Sequence, residues 1–196
     1  LVSMIIAMSF HEAVHAFIGH VLGDTTAKEE GRLTLNPLKH IDIMTTIVLP
    51  VILIIAGMPP IFAAKPVPFN PYRVRYGDYG AATIAISGPL SNLFLAILAS
   101  VVYNFTNISS ASLVDFIFIF TAINVSLFVF NLIPFPPLDG SRLVYAFAPE
   151  SVRSIMNNIE AMGFMPLLLI LLVLFQFIGD VVIRLDNQIL LFLLGS

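Results

Sequence analysis

Residues 81–103, AATIAISGPLSNLFLAILASVVY, carry no charged side chain over a length that suits a bilayer crossing. A helix needs about 20 mostly apolar residues to cover roughly 30 Å of hydrocarbon. Residues 115–133 (DFIFIFTAINVSLFVFNLI) and 164–183 (FMPLLLILLVLFQFIGDVVI) read the same way. Towards the N-terminus, residues 41–57 (IDIMTTIVLPVILIIAG) form a shorter span that Pro50 is expected to kink. Residues 1–22 lack both a charged n-region and a small-residue cleavage site, so they read as a span rather than a signal peptide.

The composition agrees. The 196 residues are 58% hydrophobic and 11% charged, with mean hydropathy +0.97. A soluble domain is nearer half apolar and about a quarter charged. A soluble single-core enzyme and a disordered chain are therefore excluded. A formal net charge of −3 without a basic cluster excludes a nucleic-acid partner. The chain has no cysteine, which removes disulfides, thiolate zinc sites and cysteine catalysis. The fold class is an all-α membrane protein, a polytopic bundle of about five to six transmembrane helices joined by short strand-like or irregular segments.

The connections hold most of the charge. Residues 23–40 contain RLTL, whose alternation suggests a brief strand. Residues 58–80 hold five of the 13 prolines and cannot be a regular helix. Residues 135–163 run from PFPPLDGSRL into SVRSIMNNIEAMG, which reads as a surface helix at the membrane interface. With five crossings, Lys28, Arg32, Lys39 and Arg184 fall on one side and Lys65, Arg73, Arg75, Arg142 and Arg153 on the other. Four against five gives no orientation.

Chemistry concentrates in the first span, where FHEAVH places His11, Glu12 and His15. At about 100° per residue, His11 and His15 share one face a single turn apart, and both imidazoles can ligate one ion. Glu12 lies beside them, the arrangement of the HExxH zinc motif. With four His and five Glu in the chain, a chance match is expected only about 0.002 times. Three ionisable residues at membrane depth also cost about 2.5–3.5 kcal/mol each unless something offsets them. His20 lies on the opposite face and reads as a packing or interfacial residue.

Catalytic zinc usually takes a third protein ligand and keeps one open position. The candidates are Asp139, Asp42, His40, Asp115 and Asp180. Asp139 is the strongest, because in NLIPFPPLDG three prolines break the preceding helix and Gly140 permits close approach. The alternative is a turn aspartate or helix N-cap.

The motifs HEAVH (11–15), GRLTLNPLKHID (31–42), AKPVPFNP (64–71), SGPLSN (87–92) and NLIPFPPLDG (131–140) resemble those of the site-2 protease family, the intramembrane zinc metalloproteases of peptidase family M50. The resemblance runs through about residue 145 and is nearest to the compact bacterial members. It implies one catalytic Zn2+ held by His11, His15 and Asp139, with Glu12 as catalytic carboxylate. It also implies that Asn131 helps to hold the substrate or its oxyanion. Two stretches depart from the family pattern: IDIMTT lacks the usual Pro and Gly, and Phe62-Ala63 stands where Gly-Trp is common. Both touch loop packing rather than ligands.

On this resemblance the chain is expected to be a multi-pass protein of the cell membrane that hydrolyses transmembrane protein or peptide substrates within or near the bilayer. Residues 1–196 form a single domain, with a catalytic core over about 1–149 and an interfacial helix plus a transmembrane helix over about 150–196. Asn92 is a candidate substrate contact, or else an interhelical hydrogen bond close-packed by Gly88 and Ser91. The RLTL stretch or the proline-rich 60–70 segment offers a candidate edge for an unwound substrate. A homodimer is compatible with the large lipid-facing surface. The competing readings are a metal-binding membrane protein without proteolysis, either a transporter or a pseudoprotease, and a structural scaffold.

Overall fold

The computed structural model describes residues 1–55, 65–106, 108–163 and 175–195. Its order is α1 (Val2–Val21), the short α2 (Thr26–Glu29), a 3-10 turn (Pro37–Lys39), a π-helical stretch (Ile43–Val48), α3 (Leu49–Ile55), α4 (Gly77–Phe105), α5 (Ala111–Asn131), α6 (Gly140–Phe147), α7 (Glu150–Ala161) and α8 (Phe175–Leu194). No strand occurs among the described residues. Among the described residues, three helices are long and apolar enough to cross a membrane: α1 with 20 residues, α4 with 29 and α5 with 21. The chain is an all-α membrane protein.

The bundle is built around α4, which packs against α5 on one flank and α1 on the other. Small residues make close packing feasible. Ala96 of α4 and Val125 of α5 are fully buried, and Val182, Ile189, Leu190 and Leu193 of α8 pack against them. Apolar side chains turned outward, such as Phe94 and Ile119, are half exposed, as a lipid-facing surface requires.

Two expectations change. The RLTL stretch forms no strand. Arg32 N–H bonds back to Ala27 O at 2.8 Å, Thr34 N–H to Arg32 O at 2.9 Å, and the His40 ring to Thr34 O at 2.8 Å. These local bonds curl residues 32–40 around the buried Arg32, and they outcompete an isolated extended segment. Residues 41–55 also form no single continuous α-helix, since a π-helical stretch over Ile43–Val48 precedes α3, and residues 56–57 lie outside the described residues. Lys65 N–H donates to His40 O at 2.8 Å, so the chain on either side of residues 41–64 meets at one place. Within that excursion the helix changes from π to α next to Pro50, where a missing N–H interrupts the ladder. Residues 164–174 of the last expected span, and Phe62-Ala63, lie outside the described residues.

The α4–α5 contact sets the spacing of the bundle. Ala96→Leu should overpack it and lower stability by about 1–3 kcal/mol, measured as a fall in the unfolding midpoint in detergent.

Candidate metal centre

The one-turn spacing on α1 does what the sequence implies. The His11 and His15 Nε2 atoms lie 2.9 Å apart, with both side chains buried. Asp139 Oδ2 stands 3.0 Å from His11 Nε2 and 3.3 Å from His15 Nε2. Among the described residues this is the one group of three or more potential ligands. Asp139 occupies the residue before α6, yet its carboxylate makes no cap hydrogen bond and is turned to the imidazoles instead. The preceding loop folds tightly enough to aim it. A Cβ on Gly140 would fall 2.3 Å from Leu132 O and 2.7 Å from Ile133 O, so only glycine fits. His40 is buried but bonded within its own loop, and Asp115 and Asp180 are exposed.

The tautomers follow from the bonds on the far sides of the rings. His15 Nδ1 donates to Ile84 O at 2.8 Å. His11 Nδ1 donates to Asn92 Oδ1 at 2.6 Å. Each ring then presents a bare lone pair at Nε2. Two ring nitrogens and a carboxylate oxygen thus converge, an arrangement that a shared proton or a metal ion can hold together. Zinc fits: four ligands at its usual 2.0–2.1 Å stand about 3.3 Å apart in a tetrahedron, close to the separations of 2.9, 3.0 and 3.3 Å seen here. Three protein ligands leave one position open, the pattern of a catalytic site.

Gly88 supplies a second test of fit. A Cβ there would fall 2.3 Å from His15 Nε2 and 2.5 Å from His11 Nε2, so any side chain at this position would push both rings out of place. The α4 backbone is bare at that point. Pro89, fully buried in the next position, has no N–H to give to the ladder.

A cavity of about 580 Å³ opens onto these residues. Glu12 and Asn131 line it together with His11, His15 and Asp139, while Asp24, Arg142 and Glu160 stand among its lining residues. Asn131 donates to Leu127 O at 2.9 Å and is half buried. The proline-rich segment forms one wall. Pro66, Pro68 and Pro71 have no N–H, and donors of this segment and just after it are taken by α1 and the residues after it. Val67 N–H bonds Glu12 Oε2 at 2.8 Å, Asn70 N–H bonds Asp24 Oδ2 at 2.7 Å, and Arg75 N–H bonds Leu22 O at 2.8 Å. Burial alone would favour the neutral acid at Asp24. The bonds from the Thr26 hydroxyl, Asn70 N–H and Thr26 N–H, with the charge of Arg73, prevail and hold its carboxyl below the usual range.

The residues singled out in the sequence therefore fall into two groups. His11, Glu12, His15, Asn131 and Asp139 share the cavity. Asn92 does not: it is fully buried, with Oδ1 on His11 and Nδ2 on Ala7 O and Asn124 Oδ1 at 3.3 and 2.9 Å. Of its two expected readings, the bonds are those of the interhelical one. Two partners escaped the sequence reading. Asn124 could have been found as a polar residue seven positions before Asn131, on the same face of an apolar helix. Val67 acts through its main chain, which no side-chain pattern reveals.

Comparison with known proteins gives the family. Residues 104–175 match the family model described as Peptidase family M50. The chain is 36% identical over 178 residues to the Bacillus subtilis protein named "Putative zinc metalloprotease YwhC", which spans 87% of this chain and 78% of that protein. It is 30% identical over 153 residues to "Putative zinc metalloprotease Rip2" of Mycolicibacterium smegmatis, covering 77% of this chain and 58% of that protein. No solved structure matches.

The crowding at Gly88 is directly testable. Gly88→Ala should abolish stoichiometric zinc in the purified protein, measured by elemental analysis; full retention would show that no ion sits between His11 and His15.

Proposed function

This chain belongs to peptidase family M50, the site-2 protease family, and from that premise we propose that it is an intramembrane zinc metalloendopeptidase that cleaves transmembrane substrates within or near the bilayer. The observation that carries the reading is the convergence of two imidazole lone pairs and the Asp139 carboxylate in a cavity that also holds Glu12. Bound zinc supplies Lewis acidity towards water and the scissile carbonyl.

The chain's own residues do the rest. Glu12 is held at Oε2 by Val67 N–H, which leaves its other oxygen to take the proton from the attacking water and return it to the leaving amine. Asn131 has one amide hydrogen committed to Leu127 O. The second is a neutral donor suited to the developing oxyanion or to the substrate backbone. Asn92 acts behind His11 rather than on substrate. The carboxylate of Asp139 and the two imidazoles are zinc ligands, and the helices present an apolar surface to lipid.

Glu12→Gln should keep zinc, because the ligands are untouched. It should lower cleavage of a model transmembrane substrate in proteoliposomes by about 10²–10⁴-fold. Equal cleavage by the variant would overturn the assignment. Zinc-loaded wild type without activity would favour the metal-binding, non-proteolytic reading instead.

The meeting of residues 40 and 65 also bears on topology across the cell membrane. Arg75 N–H reaches Leu22 O, Arg73 pairs with Glu29, and Arg153 pairs with Asp78 at 2.6 Å. Lys28, Arg32, Arg73, Arg75, Arg142 and Arg153 thus gather where α1 ends and α4 begins, while residues 104–114 at the other end of α4 hold no Lys or Arg. The positive-inside rule then places the basic end in the cytoplasm. The cysteine-free chain allows a clean test. A cysteine at Ser109 should react with a membrane-impermeant maleimide in intact cells, and one at the fully exposed Tyr72 should react only after lysis; the reverse pattern would invert the topology.

A further inference from the structure

Four hydrogen bonds link α5 through α4 to α1 and the first histidine. Asn124 Nδ2 donates to Phe120 O at 2.8 Å. Asn92 Nδ2 donates to Asn124 Oδ1 at 2.9 Å and to Ala7 O at 3.3 Å. His11 Nδ1 donates to Asn92 Oδ1 at 2.6 Å. Both asparagines are fully buried, so no water competes for these bonds.

A carboxamide has an accepting end and a donating end, and a half-turn exchanges them. A main-chain carbonyl only accepts. Phe120 O therefore receives the NH2 end of Asn124, which turns Asn124 Oδ1 towards Asn92. That oxygen, with Ala7 O, receives the NH2 end of Asn92, which turns Asn92 Oδ1 towards His11. The proton of His11 must then sit on Nδ1, and its lone pair on Nε2, the atom beside His15 and Asp139. Were the Asn92 amide turned round, its NH2 would face Nδ1. The proton would move to Nε2, and His11 would have nothing to offer an ion. Ala7 O holds the amide at 3.3 Å, whereas Asn124 holds it at 2.9 Å.

We propose that Asn124, which lies on a different helix from every ligand on α1, is a positioning residue that fixes the Asn92 amide and thereby the metal-binding tautomer of His11. The inference rests on the reading of His11 as a zinc ligand. Removing the partner of a ligating histidine typically costs 10–100-fold in metal affinity. Asn124 acts one bond further out, so a loss of about tenfold is expected.

The test is zinc titration of the full chain, metal-free in detergent micelles, against a chromophoric chelator. Wild type that fails to bind one zinc would defeat the ligand assignment itself, which separates that failure from this one. Given a binding wild type, Asn124→Leu should bind zinc about tenfold more weakly, whereas Asn92→Asp presents an oxygen to His11 whichever way it turns. Asn124→Leu added to Asn92→Asp should then change affinity by less than about twofold. Unchanged affinity in the single variant, or an equal loss in both backgrounds, overturns the proposal, the latter by showing a packing effect. If the leucine variant does not fold, Asn124→Ser, too short to reach Asn92, replaces it with the same expectations.

Discussion

Three hydrogen-bond acceptors drawn together inside an apolar bundle form the constraint on which the rest of this structure depends. Nε2 of His11, Nε2 of His15 and Oδ2 of Asp139 lie within 3.3 Å of one another. Without a cation they repel, and in hydrocarbon no water relieves them. Everything around them opposes relaxation. The helical turn of α1 sets the two nitrogens one above the other, Gly88 brings the α4 backbone against them, and the tight loop before Gly140 delivers the carboxylate. The fold thus holds three polar atoms where a shared positive charge, a proton or a metal ion, would stabilise them.

Much of that holding is done by main-chain atoms. Ile84 O fixes the outer nitrogen of His15, Val67 N–H fixes one oxygen of Glu12, and Phe120 O and Ala7 O anchor the asparagine chain behind His11. Backbone groups suit this task because each has a single polarity, and all but the Val67 amide are carried on helices. Prolines contribute by removal. In the 66–71 segment they delete three N–H groups and leave donors at positions where α1 and its C-terminal loop supply acceptors.

This explains what could be read from the sequence. The spacing of His11 and His15 is a property of any helix, so their meeting was legible, as was Asp139 after a proline-broken helix beside a glycine. The long apolar runs of α4 and α5 announce themselves by length. By contrast, Val67 enters through its amide hydrogen, and any residue but proline would have offered the same. Asn124 carries an ordinary side chain whose meaning comes from packing against Asn92, thirty-two positions earlier. RLTL alternates as a strand does, but a strand needs a neighbour, and the local bonds around Arg32 reached it first. Residues 41–57 are apolar enough to suggest a crossing; the contact between His40 and Lys65, twenty-five positions apart, is not legible in that pattern.

That contact also bears on hydrolysis at a membrane. Cleaving a peptide bond consumes water, and the residues proposed for the chemistry sit among apolar helices. With the excursion folded back, the charged loops gather at one end of the bundle. The cavity that holds Glu12 also reaches Asp24, Arg142 and Glu160. Arg142 pairs with Glu160 and lies 5.5 Å over the Phe69 ring, so these charges stand where α6, α7 and the proline-rich segment converge. Polar groups of this kind cost little only where water or headgroups solvate them. These charges therefore line the same cavity as Glu12, on the side where the loops gather. The low overall charge of the chain thus matters less than its placement: a few polar groups gathered inside at His11, Glu12, His15 and Asp139, and other charges where the loops gather.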